Sequence, residues 1–349
     1  MTRIPSPDTP PRPGLRSWTL GDYPWQAIPP VSGARYRVII DNDFSGDPDD
    51  LFQLVHHLLS PNVDIRAVVA SHLSPGDPFD PSPASAQNAD AVARDVFARM
   101  GLASHEVIAR GANDRLVDRQ TPQASAAAAA IVAEAMRDAD TPLLYLAGGG
   151  LTDLASALLI EPRIADRMTL VWIGGNEHDD LASPPPEAMP IEYNLLIDVT
   201  AAQVVFNDST LPIWQVPRNM YRQCLVSEAE LRLRVANQGA LGRYLYDELA
   251  EVQRRAAGQG RGPGETYALG DSPLVLVSAL QSLFEADSSS SLHVTMPTPE
   301  LREDGSYAPR PDARPLRVFT WLDTRLMFED MFLKLAEFVA WSERRHDGH

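Results

Sequence analysis

A chain of 349 residues with 44% apolar and 22% charged residues has room for a large α/β domain with a sizeable core. A formal net charge of -17 argues against a nucleic-acid-binding surface, because phosphate backbones demand Lys and Arg. Cys224 is the single cysteine, so an intramolecular disulfide is excluded. With no run of about 18 apolar residues and no apolar signal-peptide core, a cytoplasmic protein that avoids membranes is expected.

Residues 1–33 carry eight prolines, with Trp18 and Trp25 among them. Proline fixes φ and removes a donor, so this stretch reads as an extended arm. Its tryptophans predict that part of it packs onto the domain or a neighbouring subunit. Residues 34–349 read as one domain in which short apolar runs alternate with helical patterns. Strands are predicted at 38–40, 65–70, 107–109, 143–147, 170–173 and 212–216. Helices are predicted at 48–59, 85–100, 124–138, 152–160 and 199–206. Further on, 223–258 reads as helical and charged and 272–283 as a helix. Residues 292–296 and 316–321 look like late strands, before a closing helix at 325–341. Continuous apolar strands separated by helices indicate a doubly wound α/β fold, its open sheet mostly parallel and covered on both faces.

The strongest chemical signal follows the first strand: Asp41-Asn42-Asp43-Phe44-Ser45-Gly46-Asp47-Pro48-Asp49-Asp50. Ligands of open parallel sheets bind beyond the carboxyl ends of the strands. Carboxylates crowded there repel one another unless a cation or protons offset their charge, and calcium suits a site rich in oxygen donors. Asp49 and Asp50 also complement the dipole of the helix they start, but Asp41 and Asp43 at the strand end have no such role. An Asp-x-Asp pair after the first strand also opens the haloacid dehalogenase-type phosphatases. Those enzymes need a lysine near the phosphate, and Lys334, the only lysine, lies in the last helix pattern.

Other stretches complete a pattern in order. They are Gly148-Gly149-Gly150-Leu151-Thr152-Asp153, Ile173-Gly174-Gly175, Glu192-Tyr193-Asn194 followed by Asp198, and Gly270-Asp271-Ser272-Pro273. Together with the acidic loop they resemble the inosine–uridine nucleoside hydrolases over about residues 36–340. The resemblance implies that Asp43, Asp50 and Asp271 ligate a calcium ion through carboxylates and Thr152 through its backbone carbonyl. It implies that Asp43 is the base that accepts a proton from water. Asp49 would hold a ribose hydroxyl and is the second candidate for the base, while Glu192 and Asn194 would bind ribose hydroxyls. The expected reaction is hydrolysis of a ribonucleoside or related N-riboside to free base and ribose, by a homodimer or homotetramer. The carboxylates would stabilise an oxocarbenium-like sugar, and the glycines permit a backbone that aims a carbonyl at the ion.

The chain also departs from that family. The acidic loop is about two residues longer than the usual pattern, so Asp47 can take the place given to Asp49, and Asp41 can lie nearer the metal. Gly270 stands where many members have the histidine that protonates the leaving base. His72 and His178 follow strands on the presumed active-site side and are candidates to replace it. Trp172, Trp214, Tyr221 and Tyr267 are candidates to stack on a base. Arg218 suggests an anionic or oxygen-rich substrate group. A non-catalytic, calcium-dependent ribose- or polyol-binding protein, or a hydrolase of another glycoside, is the rival expectation.

Overall fold

The computed structural model describes residues 14–26, 33–258, 260, 264–280, 282 and 289–343. The first strand, β1 (Tyr36–Asn42), is apolar along most of its length because both of its faces are covered. Val38 and Ile40 point into one core and Ile39 into the other, all fully buried. It leads into α1 (Asp49–Leu58), β2 (Val63–Ala70), α2 (Ser85–Met100) and β3 (Ile108–Arg110). Next come α3 (Ala126–Ala135), β4 (Leu143–Ala147), α4 (Thr152–Ile160), β5 (Met168–Ile173), α5 (Tyr193–Ile197) and α6 (Val199–Gln203). β6 (Ile213–Val216), α7 (Arg218–Tyr221), β7 (Leu225–Ser227), α8 (Glu228–Glu230), α9 (Gly239–Gly258) and β8 (Thr266–Ala268) follow. The described chain ends with α10 (Pro273–Ala279), β9 (Ser291–Pro297), β10 (Glu300–Leu301), β11 (Tyr307–Ala308), β12 (Pro315–Leu322) and α11 (Thr324–Ser342).

Eight strands form the main sheet in the order β3-β2-β1-β4-β5-β6-β12-β9. Every pairing is parallel except that of β12 with β9. The fold is therefore the doubly wound α/β sheet expected, with one antiparallel edge strand. Sequence order reverses between β1 and β4, and such a switch point opens a crevice at the carboxyl ends of the two strands. The acidic loop leaves β1 there, and the three glycines leave β4. No described helix is long and apolar enough to cross a membrane.

The region 223–258 is less uniform than its charged helical pattern suggests. β7 pairs antiparallel with β8, from Leu225 opposite Ala268 to Ser227 opposite Thr266. A capping box between Ser227 and Glu230 then restarts the helix. The helix expected at 272–283 is observed as α10, and residues 281 and 283 lie outside the described residues. α6 stops at Gln203 and continues as a π-helical turn, Val204–Asp208.

Part of the proline-rich arm is described, and its tryptophans pack against the domain. The Trp18 indole donates to the Met100 carbonyl at 2.7 Å, and Trp25 meets Phe338 edge-on at 5.1 Å. Gly101, at φ +71, ends α2 where any Cβ would strike the Arg16 carbonyl.

Candidate active site

The acidic loop turns tightly after β1, with the Gly46 amide on the Asp43 carbonyl at 2.6 Å. Asp49 and Asp50 then begin α1, while Asp271 stands just ahead of α10. The carboxylate oxygens of Asp49, Asp50 and Asp271 lie within 4.8 Å of one another. α1 and α10 are held in register by His57, whose Nε2 meets Ser278 Oγ at 2.9 Å. His57 is fully buried and, with His56, belongs to this packing rather than to the site.

Asp271 is not a helix cap, since α10 has no side-chain cap and the Asp271 carboxylate faces the cluster instead. Asn42 joins the two helices to the sheet. Its amide nitrogen donates to Asp50 Oδ1 at 2.9 Å and to Asp271 Oδ2 at 2.5 Å. Gly148, at the end of β4, leaves the room for this arrangement, because a Cβ there would collide with the Asp271 carboxylate and crowd Asn42. Asp43 lies beside it, with its Cγ 3.4 Å from where a Cβ of Gly149 would sit. Asp49 Oδ2 accepts from the Asp271 amide at 3.2 Å.

Burial pushes Asp43, Asp49, Asp50 and Asp271 well above the usual carboxylate range, and their mutual repulsion adds to it. Asp43 Oδ2, Asp50 Oδ2 and Asn42 Oδ1 are buried with no hydrogen-bond partner. Orphaned acceptors cost about 1–3 kcal/mol each unless something meets them. An all-oxygen donor set with unpartnered oxygens fits a hard divalent cation.

A second set of residues walls the cluster. Tyr193 donates to Asp77 Oδ2 at 2.5 Å, Tyr221 to Glu192 Oε1 at 2.7 Å and Tyr267 to Asp47 Oδ1 at 2.7 Å. Asp77 comes from the loop after β2, and its charge reaches Asp43 and Asp47. Asn42, Asp77 and Tyr193 are plain in the sequence, but short loops carry no periodicity that singles them out, and Tyr221, a stacking candidate, instead bonds Glu192.

Several expected site residues sit differently. Thr152 is the first residue of α4, so its carbonyl points into the helix and accepts from Ser156 Oγ at 2.7 Å. Its hydroxyl donates to Asp198 Oδ2 at 2.7 Å. Trp172 is fully buried on the β5 face shared with Leu170, its indole donating to the Gly149 carbonyl at 3.1 Å. It supports the glycine turn from below and is no stacking platform.

The histidines are engaged as well. His72 meets the Leu73 carbonyl and Thr152 Oγ1, while His178 meets Gln215 and stacks on Tyr307 at 4.5 Å. Trp214 lies under Arg317 at 4.2 Å. Arg218 forks onto Glu177 at 2.9 and 2.6 Å and reaches the Met189 carbonyl at 2.7 Å, so its charge is matched inside the protein.

Glu192 and Asn194 border the glycine turn, but through bonds to protein. Glu192 caps α5 and accepts from the amides of Gly175, Asn194 and Leu195 as well as from Tyr221. Asn194 donates to the carbonyls of Gly148 and Ile173, both at 2.8 Å. Asp41, deeper down, accepts from Tyr145 and is pushed up to about 8 by burial, with Asp153 adding to it. It braces the loop and is not in the cluster of three.

Comparisons with known proteins identify the family and the fold. Residues 38–318 match the family model described as inosine-uridine preferring nucleoside hydrolase. A protein of that description from Leishmania major is 47% identical over 62 residues, 18% of each chain. One from Crithidia fasciculata is 44% identical over 69 residues, 20% of this chain and 19% of the other. The matched stretch thus spans about a fifth of these relatives' length. The solved structure of a purine-preferring ribonucleoside hydrolase from Gardnerella vaginalis superposes with a TM-score of 0.66. It does so at 15% identity, over 87% of this chain and 99% of that one, and so shares the fold. With the family model covering most of its length, the chain belongs to the inosine-uridine preferring nucleoside hydrolase family.

Proposed function

We propose that this protein hydrolyses the N-glycosidic bond of a ribonucleoside or related N-riboside, giving free base and ribose, and that it does so with a bound calcium ion. The observation that carries the reading is the buried carboxylate cluster at the switch point of the sheet, with its partnerless oxygens. Asp50, Asp271 and Asp43 would hold the cation, which when bound supplies positive charge to orient the ribose hydroxyls and lower the pKa of water. Thr152 is left out of this ligand set because its carbonyl is engaged in α4.

Asp43, with a free buried oxygen, is the base for the attacking water; Asp49, partly buried beside it, holds a sugar hydroxyl and is the alternative base. The surrounding carboxylates stabilise positive charge developing on the sugar ring. Glu192 and Asn194 act on this wall by fixing Gly148 and Tyr221. Tyr267 holds Asp47 at the rim.

The test is release of reducing sugar from a panel of purine, pyrimidine and nicotinamide ribosides, with calcium and with chelator. Chelator-sensitive release is expected. A second reading, calcium-dependent binding of a ribose or polyol without turnover, is favoured by Gly270, which offers no side-chain acid. Ligand binding with no release from any riboside would establish that reading and remove the first.

A further inference from the structure

The phenols, imidazoles, thiol and guanidinium nearest the cluster share one property: each already has a partner inside the protein. Position 270 is glycine, and a side chain there has little room. Its Cβ would stand 3.2 Å from the Tyr221 ring and 3.3 Å from Asp49 Oδ2. The three phenols around the cluster already donate to carboxylates, and burial together with those carboxylates raises their pKa values.

The imidazoles on this side of the sheet are also engaged, His72 with Leu73 and Thr152 and His178 with Gln215. The Cys224 thiol is buried against the Met220 carbonyl, and burial pushes it up to about 12. Arg218 is neutralised by Glu177.

The field points the same way. Asp43, Asp47, Asp49, Asp50, Asp77 and Asp271 act on one another electrostatically, with Glu192 behind Tyr221. One divalent cation offsets only two of these charges. Such a site attracts a cation to its mouth and disfavours an anionic substituent.

We propose that the site is matched to N-ribosides whose base is already a cation before the bond breaks, such as an N-alkylated purine or a pyridinium riboside. Neutral nucleosides, which need their base protonated as it leaves, are poor substrates. The inference rests on the N-riboside hydrolase reading above. In the step, the oxygen of water bonds to C1′ while the C1′–N bond breaks. Its electron pair returns to the ring nitrogen and cancels the positive charge there. The proton of water passes to Asp43 or Asp49 and then to solvent, so ribose, a neutral base and one proton are formed. No acid is required at position 270.

The experiment measures kcat/KM of the calcium-loaded protein on two pairs: 7-methylguanosine against guanosine at pH 6, and nicotinamide riboside against uridine. A general acid is worth about 10²–10⁴-fold, so the cationic member of each pair should be favoured by about a hundredfold or more.

Comparable values within each pair would overturn the proposal while leaving hydrolysis intact. No sugar released from any of the four would instead overturn the hydrolase reading, and this inference with it.

Discussion

On the side of the site formed by β1, α1 and α10, Asp43 Oδ2, Asp50 Oδ2 and Asn42 Oδ1 are buried without partners. On the side formed by α5, α7 and β8, the hydroxyls of Tyr193, Tyr221 and Tyr267 each have a carboxylate acceptor. There Glu192 also takes bonds from three amides. A folded chain satisfies its buried polar groups where nothing else will, so the contrast separates frame from receptor. The tyrosine side is complete in itself and sets distances. The aspartate side is costly as it stands and becomes favourable only with a positive partner.

The largest effect should come from removing one charge on the aspartate side. Asp271→Asn keeps the shape of the side chain and should weaken calcium binding by about a hundredfold or more, measured by titration calorimetry. In chelator the same variant should melt above the parent, because one member of a mutually repelling group is gone. Affinity equal to the parent's would move the cation elsewhere. A lower melting point in chelator would show that repulsion is not what the cluster stores.

The frame side should respond in the opposite sense, losing stability and keeping specificity. Arg218 and Glu177 form a buried pair, and removing one partner of such a pair typically costs about 3–5 kcal/mol. Arg218→Ala should therefore lower the urea midpoint strongly while the ranking of ribosides by kcat/KM stays as in the parent. A changed ranking at full stability would return Arg218 to the substrate, where its place in the sequence first suggested it.

The metal-free protein should also show the strain of the aspartate side in its pH dependence. Burial raises Asp41 to about 8 and Asp47 to about 6. A carboxyl raised in the folded state binds its proton more tightly there than in the unfolded chain. Its stabilisation is complete below the unfolded value of about 4 and is lost as pH climbs through the folded value. In chelator, the urea midpoint should fall between pH 5 and pH 8. Calcium at a hundred times its Kd should restore about 2.7 kcal/mol at the upper end. A midpoint flat across that range without metal would mean that water, not protein, surrounds these carboxylates.

What the sequence displayed of this site followed how locally each part is encoded. The apolar run of β1 with its acids, the glycines after β4 and Asp271 before α10 each stand at a strand end or helix start, where pattern and chemistry coincide. Trp172 reads from its strand-end position as a stacking candidate, yet it alternates with Val171 and Ile173 and shares the face of Leu170, which places it in the core. Thr152 is harder to place, because the Leu-Thr-Asp pattern does not tell which residue is the first of the helix, and its carbonyl accepts from Ser156 Oγ. Asn42 lay in view between two aspartates. Its part appears only when α10 brings Asp271 to it across 229 residues. Tyr221, Tyr193 and Asp77 come from segments too short for periodicity, so only the packed structure unites them.

The smallest effect tests the seam between the two sides. Tyr267, on β8, reaches across to Asp47 of the acidic loop, and this bond lowers the Asp47 pKa against the burial that raises it to about 6. Tyr267→Phe removes the donor and leaves the ring. A net hydrogen bond to a charged group is worth about 1.5–3 kcal/mol, and part of that remains because the Asp49 amide also donates to Asp47 at 3.3 Å. The variant should therefore lose about 1 kcal/mol of stability at pH 8 and less at pH 5, where Asp47 is largely protonated in both proteins. Calcium affinity should fall more at pH 6 than at pH 8, since the Asp47 charge now forms only at higher pH. Equal losses at both pH values would mean that Tyr267 supports the β7–β8 pair alone, and that the two sides of the site are not electrostatically joined.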